Sequence, residues 1–211
     1  MKRSKLVIVV SLLLVTSMCT YCGSDEVSEN SDNVPELHFD IDMTKLGEVY
    51  RQNDYGITLY PPKGWELVPA DVLQQLKTQG SKNASAQELS FEPINMLFNE
   101  ENQSILSIAH IIDVNKQGLT GRDLLKKYQE LLTSTIDSSR LKKGEFLKDG
   151  IHFVQFLIQD GERVIFKLLV RNVKNQLIEL DYIVLQNVYS SEVKAVESSI
   201  GTIDLIEQGG N

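Results

Sequence analysis

Cysteine is scarce in this chain of 211 residues: there are two, Cys19 and Cys22, and none follows. Whatever folds behind them has no internal disulfide, offers no thiol nucleophile, and must be held together by its core. Basic charge is short as well, 21 residues against 29 acidic ones, for a net charge of −8. Non-specific binding to nucleic acid or to anionic headgroups needs a positive surface, and here the mean field is repulsive. No hydrophobic run is long. The longest, Leu6 to Val15, is half of the roughly 20 residues that a spanning helix needs. Catalytic signatures are missing too: the chain contains no G-x-S-x-G elbow, P-loop, dinucleotide fingerprint, H-E-x-x-H or calcium loop.

The first two dozen residues carry an address. Met1-Lys-Arg-Ser-Lys5 is a positive start, the apolar run follows at signal-peptide length, and Thr16 and Ser17 bring the small polar residues at which cleavage is expected. Next comes Met18-Cys19-Thr20-Tyr21-Cys22-Gly23-Ser24. The layout resembles bacterial lipoprotein signals, in which a peptidase cuts before a cysteine whose sulfur carries diacylglycerol. Neither cysteine has the usual small residue directly before it. Cys22 is the expected lipidation site, because Gly23-Ser24-Asp25-Glu26 gives a flexible acidic start to the mature chain; Cys19, nearer the apolar run, is the alternative. Read as a redox or metal C-x-x-C, the pair would need a folded strand-to-helix setting that a signal boundary does not provide.

Residues 1–21 are therefore expected to be the signal and 22–49 an acidic tether and lead-in. Removing the signal takes away three bases and no acid, leaving 18 basic against 29 acidic residues, a net of −11. Gly23 to Asn33 holds four acids and one apolar residue, too little to bury against the entropy of ordering. Such acids behind a lipidated cysteine also resemble surface-export signals of some Bacteroidota lipoproteins. Leu37, Phe39 and Ile41 then alternate with His38, Asp40 and Asp42, which fits an extra edge strand or a segment packed on the domain. The domain itself is placed at 50–206, with 207–211 as a tail.

Within that span the pattern predicts both helices and strands. Ile57 to Tyr60 reads as a strand entering the turn Pro61-Pro62-Lys63-Gly64-Trp65, and Trp65, the only tryptophan, reads as a core or rim plug. A short helix is expected from Pro69 to Leu76, then a polar loop over 79–86 that could rim a site. Ile94–Phe98 and Ser104–Ile112 look like a hairpin. A helix begins at Thr120 with Leu124, Tyr128, Leu131 and Leu132 at helical spacing. Runs at 141–148, 151–159, 163–171 and 176–186 are joined by Asp149-Gly150, Asp160-Gly161 and Lys174-Asn175, the dipeptides of tight antiparallel turns, so a meander is expected. A last helix spans about 191–199. The fold class is α+β, with helices on a mainly antiparallel sheet.

This order, together with Tyr55-Gly56-Ile57, Pro62-Lys63-Gly64-Trp65 and Ser199-Ile200-Gly201-Thr202-Ile203, resembles the PsbP-like family, which includes extrinsic photosystem II subunits and DcrB-like bacterial lipoproteins. The resemblance covers Asp54 to Leu205. It implies an α-β-α sandwich around an antiparallel sheet, and a binding or stabilising accessory rather than an enzyme with a shared active site. It carries over no functional residue.

The residues offer little chemistry of their own. His38, His110 and His152 are isolated in sequence and read as ordinary sheet or lead-in residues, Glu100-Glu101 as a turn, and Glu179 with Asp181 as a polar strand face. No catalytic residue, metal ligand or cofactor is assigned. The expectation is a lipid-anchored protein of the bacterial cell envelope, a non-enzymatic module for an envelope protein partner, with no nucleic acid. The alternative is a hydrolase, or a carrier of a small ligand or metal, with a site assembled from scattered residues.

Overall fold

Apolar residues at every second position, broken by turn formers, fold the second half of the chain into a meander. The computed structural model describes residues 34–83, 89–114, 119 and 121–206. In it β6 (Leu141–Lys148), β7 (Ile151–Asp160), β8 (Arg163–Arg171) and β9 (Leu177–Leu185) pair in succession, all antiparallel. Asp149 and Gly150 both have positive φ, 50° and 77°, as the tight turn between β6 and β7 requires. Asp160 stays in β7, so the next turn is Gly161-Glu162 rather than Asp160-Gly161. Asn172 builds the third connection, its Oδ1 accepting from the Lys174 and Gln176 amides.

The expected hairpin extends this sheet. β4 (Leu89–Phe98) and β5 (Ile105–Asp113) pair antiparallel, and β5 lies against β9. A two-residue β3 (Glu66–Leu67) completes the order β3-β4-β5-β9-β8-β7-β6. Because β3 covers only Leu97 and Phe98, most of β4 is an edge, and Pro93 sits there at a register shift, where a missing donor costs little. A separate small sheet joins β1 (Tyr50–Gln52), β2 (Ile57–Leu59) and β10 (Asp204–Leu205).

Both faces of the large sheet are buried. One carries Phe166, Leu168, Leu180 and Tyr182, and packs against Val196 and Ile200 of α3 (Tyr189–Gly201), Ile57 and Leu59 of β2, and Trp65. The other carries Phe156, Leu169 and Leu177, and packs against Leu124, Tyr128 and Leu132 of α2 (Gly121–Thr135). The expected α-β-α layering is thus present, with Trp65 in the core at 4% exposure. The helix before β4, α1 (Ala70–Asn83), runs into the stretch read as loop from Gln79. One glycine at about 1 kcal/mol is too weak a signal to stop a helix already propagating.

The lead-in is a strap, the packed segment of the two sequence alternatives, and the compact unit reaches back to Val34 rather than Tyr50. The Leu37 amide donates to the Leu147 carbonyl at 2.8 Å, and the Leu147 amide to the Pro35 carbonyl at 2.9 Å. Phe39 meets Phe146 edge-on at 5.7 Å, and the Asp42 amide donates to Ser198 Oγ at 3.0 Å. Gly47 then bonds the Pro61 carbonyl. Cys19, Cys22, the signal, the tether through Asn33, the Thr120 cap and the tail from 207 lie outside the described residues.

Candidate functional site

On the α2 face of the sheet, cross-strand register brings together three charges. Lys167 on β8 is paired with Asp181 on β9, and Glu179 lies one same-face position along β9, opposite Leu169. Lys167 Nζ reaches Asp181 Oδ2 at 2.6 Å and Glu179 Oε2 at 3.0 Å. From above, the Tyr128 hydroxyl of α2 donates to that same Glu179 oxygen, and its ring lies 5.8 Å from Lys167 Nζ. On the other side β5 presents Ser107 and Ala109 to Asp181 and Glu179, small side chains that leave room for the tyrosine. Lys167 and Glu179 are buried, at 8% and 7% exposure.

Glu179 and Asp181 are therefore not a solvated strand face. The sequence signal that could have found them is the turn at Lys174: seven residues back is Lys167, and seven forward is Asp181. Ile165 and Leu169, on the same side of β8 as Lys167, already indicate a covered face. What sequence could not supply is Tyr128, which depends on how α2 seats on the sheet.

These groups form the floor of an open cleft of ≈ 440 Å³ between α2 and the sheet. Its walls are apolar, Phe91, Leu132, Ile136, Ile158 and Ile165, and its rim carries Asp137, Arg140 and Asp160. The rim is tied to itself: Arg140 pairs with Asp160 and donates to the Gln159 carbonyl at 2.7 Å, while Asp137 caps the turn at Ser139.

Burial, and then the nearby Glu179 charge, raise Asp181 up to about 8. Burial alone would lower Lys167, but Glu179 and Asp181 outweigh it and hold the ammonium above its usual range. Burial and the same two carboxylates push Tyr128 far up, so it remains a neutral donor. Asp181 Oδ1 is buried and has no hydrogen-bond partner among the described residues.

No histidine lines this cleft. His110 packs 5.6 Å from Tyr55 and pairs with Glu92 across the β4–β5 ladder at 3.7 Å, and burial lowers its pKa. His152 meets Glu145 at 3.2 Å on the β6–β7 pair, and His38 is exposed on the strap. Glu100 and Glu101 lie in the β4–β5 turn, as expected, where the Asn99 side chain accepts from the Glu101 amide. Among the described residues no three His, Cys, Asp or Glu side chains are placed to hold a metal ion.

No family model matches the sequence. No curated protein matches it either. The structure is similar to the solution structure of cyanobacterial PsbP (CyanoP) from Synechocystis sp. PCC 6803, over 80% of this chain and 97% of that one, with 12% identity and a TM-score of 0.44. A likeness at this level transfers no residue role.

A second surface stands out on the strap. Nine large apolar side chains are exposed among the described residues, and four of them, Leu37, Ile41, Met43 and Val49, fall within thirteen consecutive positions. Phe39 and Leu46 of the same segment turn inward, which fixes the strap on the domain; Ile41 also touches α3, its Cγ1 3.0 Å from where a Gly201 Cβ would stand, and keeps only part of its surface exposed. No helix among the described residues is long and apolar enough to cross a membrane.

Proposed function

We propose that this chain is a lipoprotein of the bacterial cell envelope, anchored through Cys22, whose domain is a non-enzymatic binding module for an envelope protein partner. The observation that carries the reading is the cluster of exposed apolar side chains on the strap. Single exposed apolar residues need no explanation, but a concentration in one short segment does, and contact with another protein is the usual one. Its place in the chain fits: Val34 lies twelve residues after Cys22, a spacer whose full extension is roughly 40 Å. Two or more acyl chains, at about 0.8 kcal/mol for each buried methylene, would hold the protein on a membrane with the strap as the part of the domain nearest to it along the chain.

Two measurements test this. Labelled palmitate is expected to enter the wild type and Cys19→Ala but not Cys22→Ala; the reverse pattern moves the anchor to Cys19, and no label in any form removes it. Affinity capture from membranes is expected to recover a protein with the wild type that is lost from Met43→Lys, the most exposed of the four at 53%, while the melting temperature is unchanged. Recovery of the same protein by both forms would defeat the strap as the partner surface.

A further inference from the structure

We propose that the open edge of β6 takes up an extended, acidic segment of a partner protein as an added antiparallel strand. The inference rests on reading the domain as a module for a protein partner, and names the part of that partner it would hold; it does not depend on the outward side chains of the strap. Hydrogen-bond parity sets the edge. The Leu147 amide and carbonyl both point away from β7, since they bond the strap at Pro35 and Leu37. Backbone groups alternate along a strand, so those of Leu141, Lys143 and Glu145 point outward too, while those of Lys142, Gly144 and Phe146 face β7.

The strap shows that this edge accepts a strand, because Glu36 forms a parallel bridge with Leu147. One rung further back, the bond to the Glu145 carbonyl would have to come from residue 35, a proline without an N–H. Pro35 thus ends the ladder, and among the described residues nothing bonds the outward groups of Leu141 and Lys143. The other edge of the sheet is guarded differently. β4 carries Pro93 and a register shift, pairs with β3 at one end, and has α1 packed against it.

Charge and shape say what fits beside β6. Arg140 to Lys143 holds three bases and no acid. Arg140 is committed to Asp160, and Lys143 meets Glu145 at 2.8 Å and Gln129 at 3.3 Å. Lys142 is exposed and has no salt-bridge partner among the described residues. By alternation it shares the α3 side of the sheet with Gly144 and Phe146. Gly144 has nothing within 4 Å of the place a Cβ would take. An incoming strand therefore meets an uncompensated cation beside one residue and a gap beside the next on that face. An acid against Lys142 and an aromatic ring over Gly144 satisfy both. In antiparallel order the segment reads aromatic, any residue, then Asp or Glu.

A second copy of this chain does not meet those terms. The strap already holds Leu147, so two β6 strands could join only over Leu141 to Glu145. Their two-fold axis would fall on Lys143 and set that lysine against itself, and like charges directly opposite each other destabilise a pair of strands.

The probe is the peptide Ac-Thr-Val-Thr-Phe-Thr-Asp-Thr-NH2, titrated into the detergent-solubilised full chain and followed by backbone amide resonances and hydrogen exchange. Saturable shifts are expected at millimolar peptide, with exchange slowed at the Leu141 and Lys143 amides and unchanged at those of Lys142 and Gly144, which already bond β7. Replacing the peptide's Asp by Lys should weaken binding about tenfold, and Lys142→Glu should reverse that preference. Lys143→Pro removes an outward donor and leaves the β7 ladder intact, so it should abolish binding, whereas Lys143→Thr should stay within about threefold of the wild type. Absence of saturation, protection spread evenly over residues 141–144, equal binding of the Lys peptide by the wild type, or undiminished binding in Lys143→Pro would each overturn the proposal. The wild-type exchange pattern decides the matter even if Lys143→Pro folds poorly. Met43→Lys should bind the peptide as the wild type does, so failure of the β6 edge is distinct from failure of the strap as a docking surface.

Discussion

At Asp181 two effects oppose each other, the attraction of Lys167 at 2.6 Å and the cost of a second negative charge in a buried place. Burial and Glu179 win, so the folded protein holds a proton there that the unfolded chain, with an ordinary value near 3.8, gives up. The native state then binds more protons than the unfolded one between those values, and stability falls as pH rises. The contribution is complete below about pH 4 and is lost as pH climbs through about 8, with a slope of at most about 1.4 kcal/mol per pH unit. Asp42, Asp137 and Asp149 work in the opposite sense. Hydrogen bonds from Thr44, Ser139 and Lys148 hold them low, so any loss from them comes only as pH falls below the usual carboxylate range. Burial lowers His110 from its ordinary 6.5, so below about that pH it works against this decline; urea unfolding of the wild type should show the midpoint decline between roughly pH 7 and 8, above the histidine's range. Asp181→Asn fixes the neutral form and should flatten that slope and raise stability most at the alkaline end; a parallel decline in the variant would show that another group carries the linkage.

At the scale of elements, the contacts that lock the strap and the small sheet pass through two glycines. Gly56 has φ of 62°, and a Cβ there would stand 2.5 Å from the Ile206 carbonyl oxygen, which is where β10 closes on β2. Gly201 ends α3, and a Cβ there would meet Phe39 Cβ at 2.5 Å. In Gly201→Ala the strap must lift off α3, so the amides of Leu37 and Asp42, which bond Leu147 and Ser198, should lose protection from hydrogen exchange. A stability loss of about 1–3 kcal/mol is expected. Gly144 on β6 has nothing within 4 Å of the same position, and Gly144→Ala should leave both exchange and stability nearly unchanged. Equal effects at the two sites would mean that the close approach of Phe39 is not what Gly201 serves.

Both of those strap and sheet glycines, Gly56 and Gly201, lie in motifs that were legible in the sequence, and so were the meander and its last helix. The reason is that these are local signals: alternation within a strand, turn formers between strands, helical spacing over a few turns. The β5–β9 pairing joins strands more than sixty residues apart, and no local pattern states it. The cleft floor was half legible, because Lys167 and Asp181 face each other by simple counting from a turn, while the cover given by Tyr128 comes from helix-on-sheet packing. The strap was legible as one of two alternatives, but the domain start was placed at Tyr50 rather than Val34. Its acidic, alternating sequence looks much like the tether before it, and only Phe39 and Leu46 distinguish a segment that packs from one that is solvated.

For the molecule as a whole, the boundary between tether and domain decides which part of the chain can be removed without damage. The strap covers Phe146 with Phe39, extends β6 at Leu147, and places Leu46 in the core at 8% exposure. Losing it would bare apolar surface on the α3 side of the sheet, beside Phe146 and Ile200. Removing Phe39 and Leu46 alone withdraws two apolar side chains of a kind that contribute roughly 1.5–3 kcal/mol each when fully buried, less here for Phe39, which is only half covered. Domains of this size have only about 5–15 kcal/mol in hand, so the loss is a sizeable share. A chain beginning at Val34 should therefore unfold at the same urea midpoint as one beginning at Gly23. A chain beginning at Tyr50 should unfold earlier and bind more of a dye that reports exposed apolar surface. If the Tyr50 form matched the other two, the strap would be a passenger on the domain, and its outward apolar side chains would have to be explained as part of the tether instead.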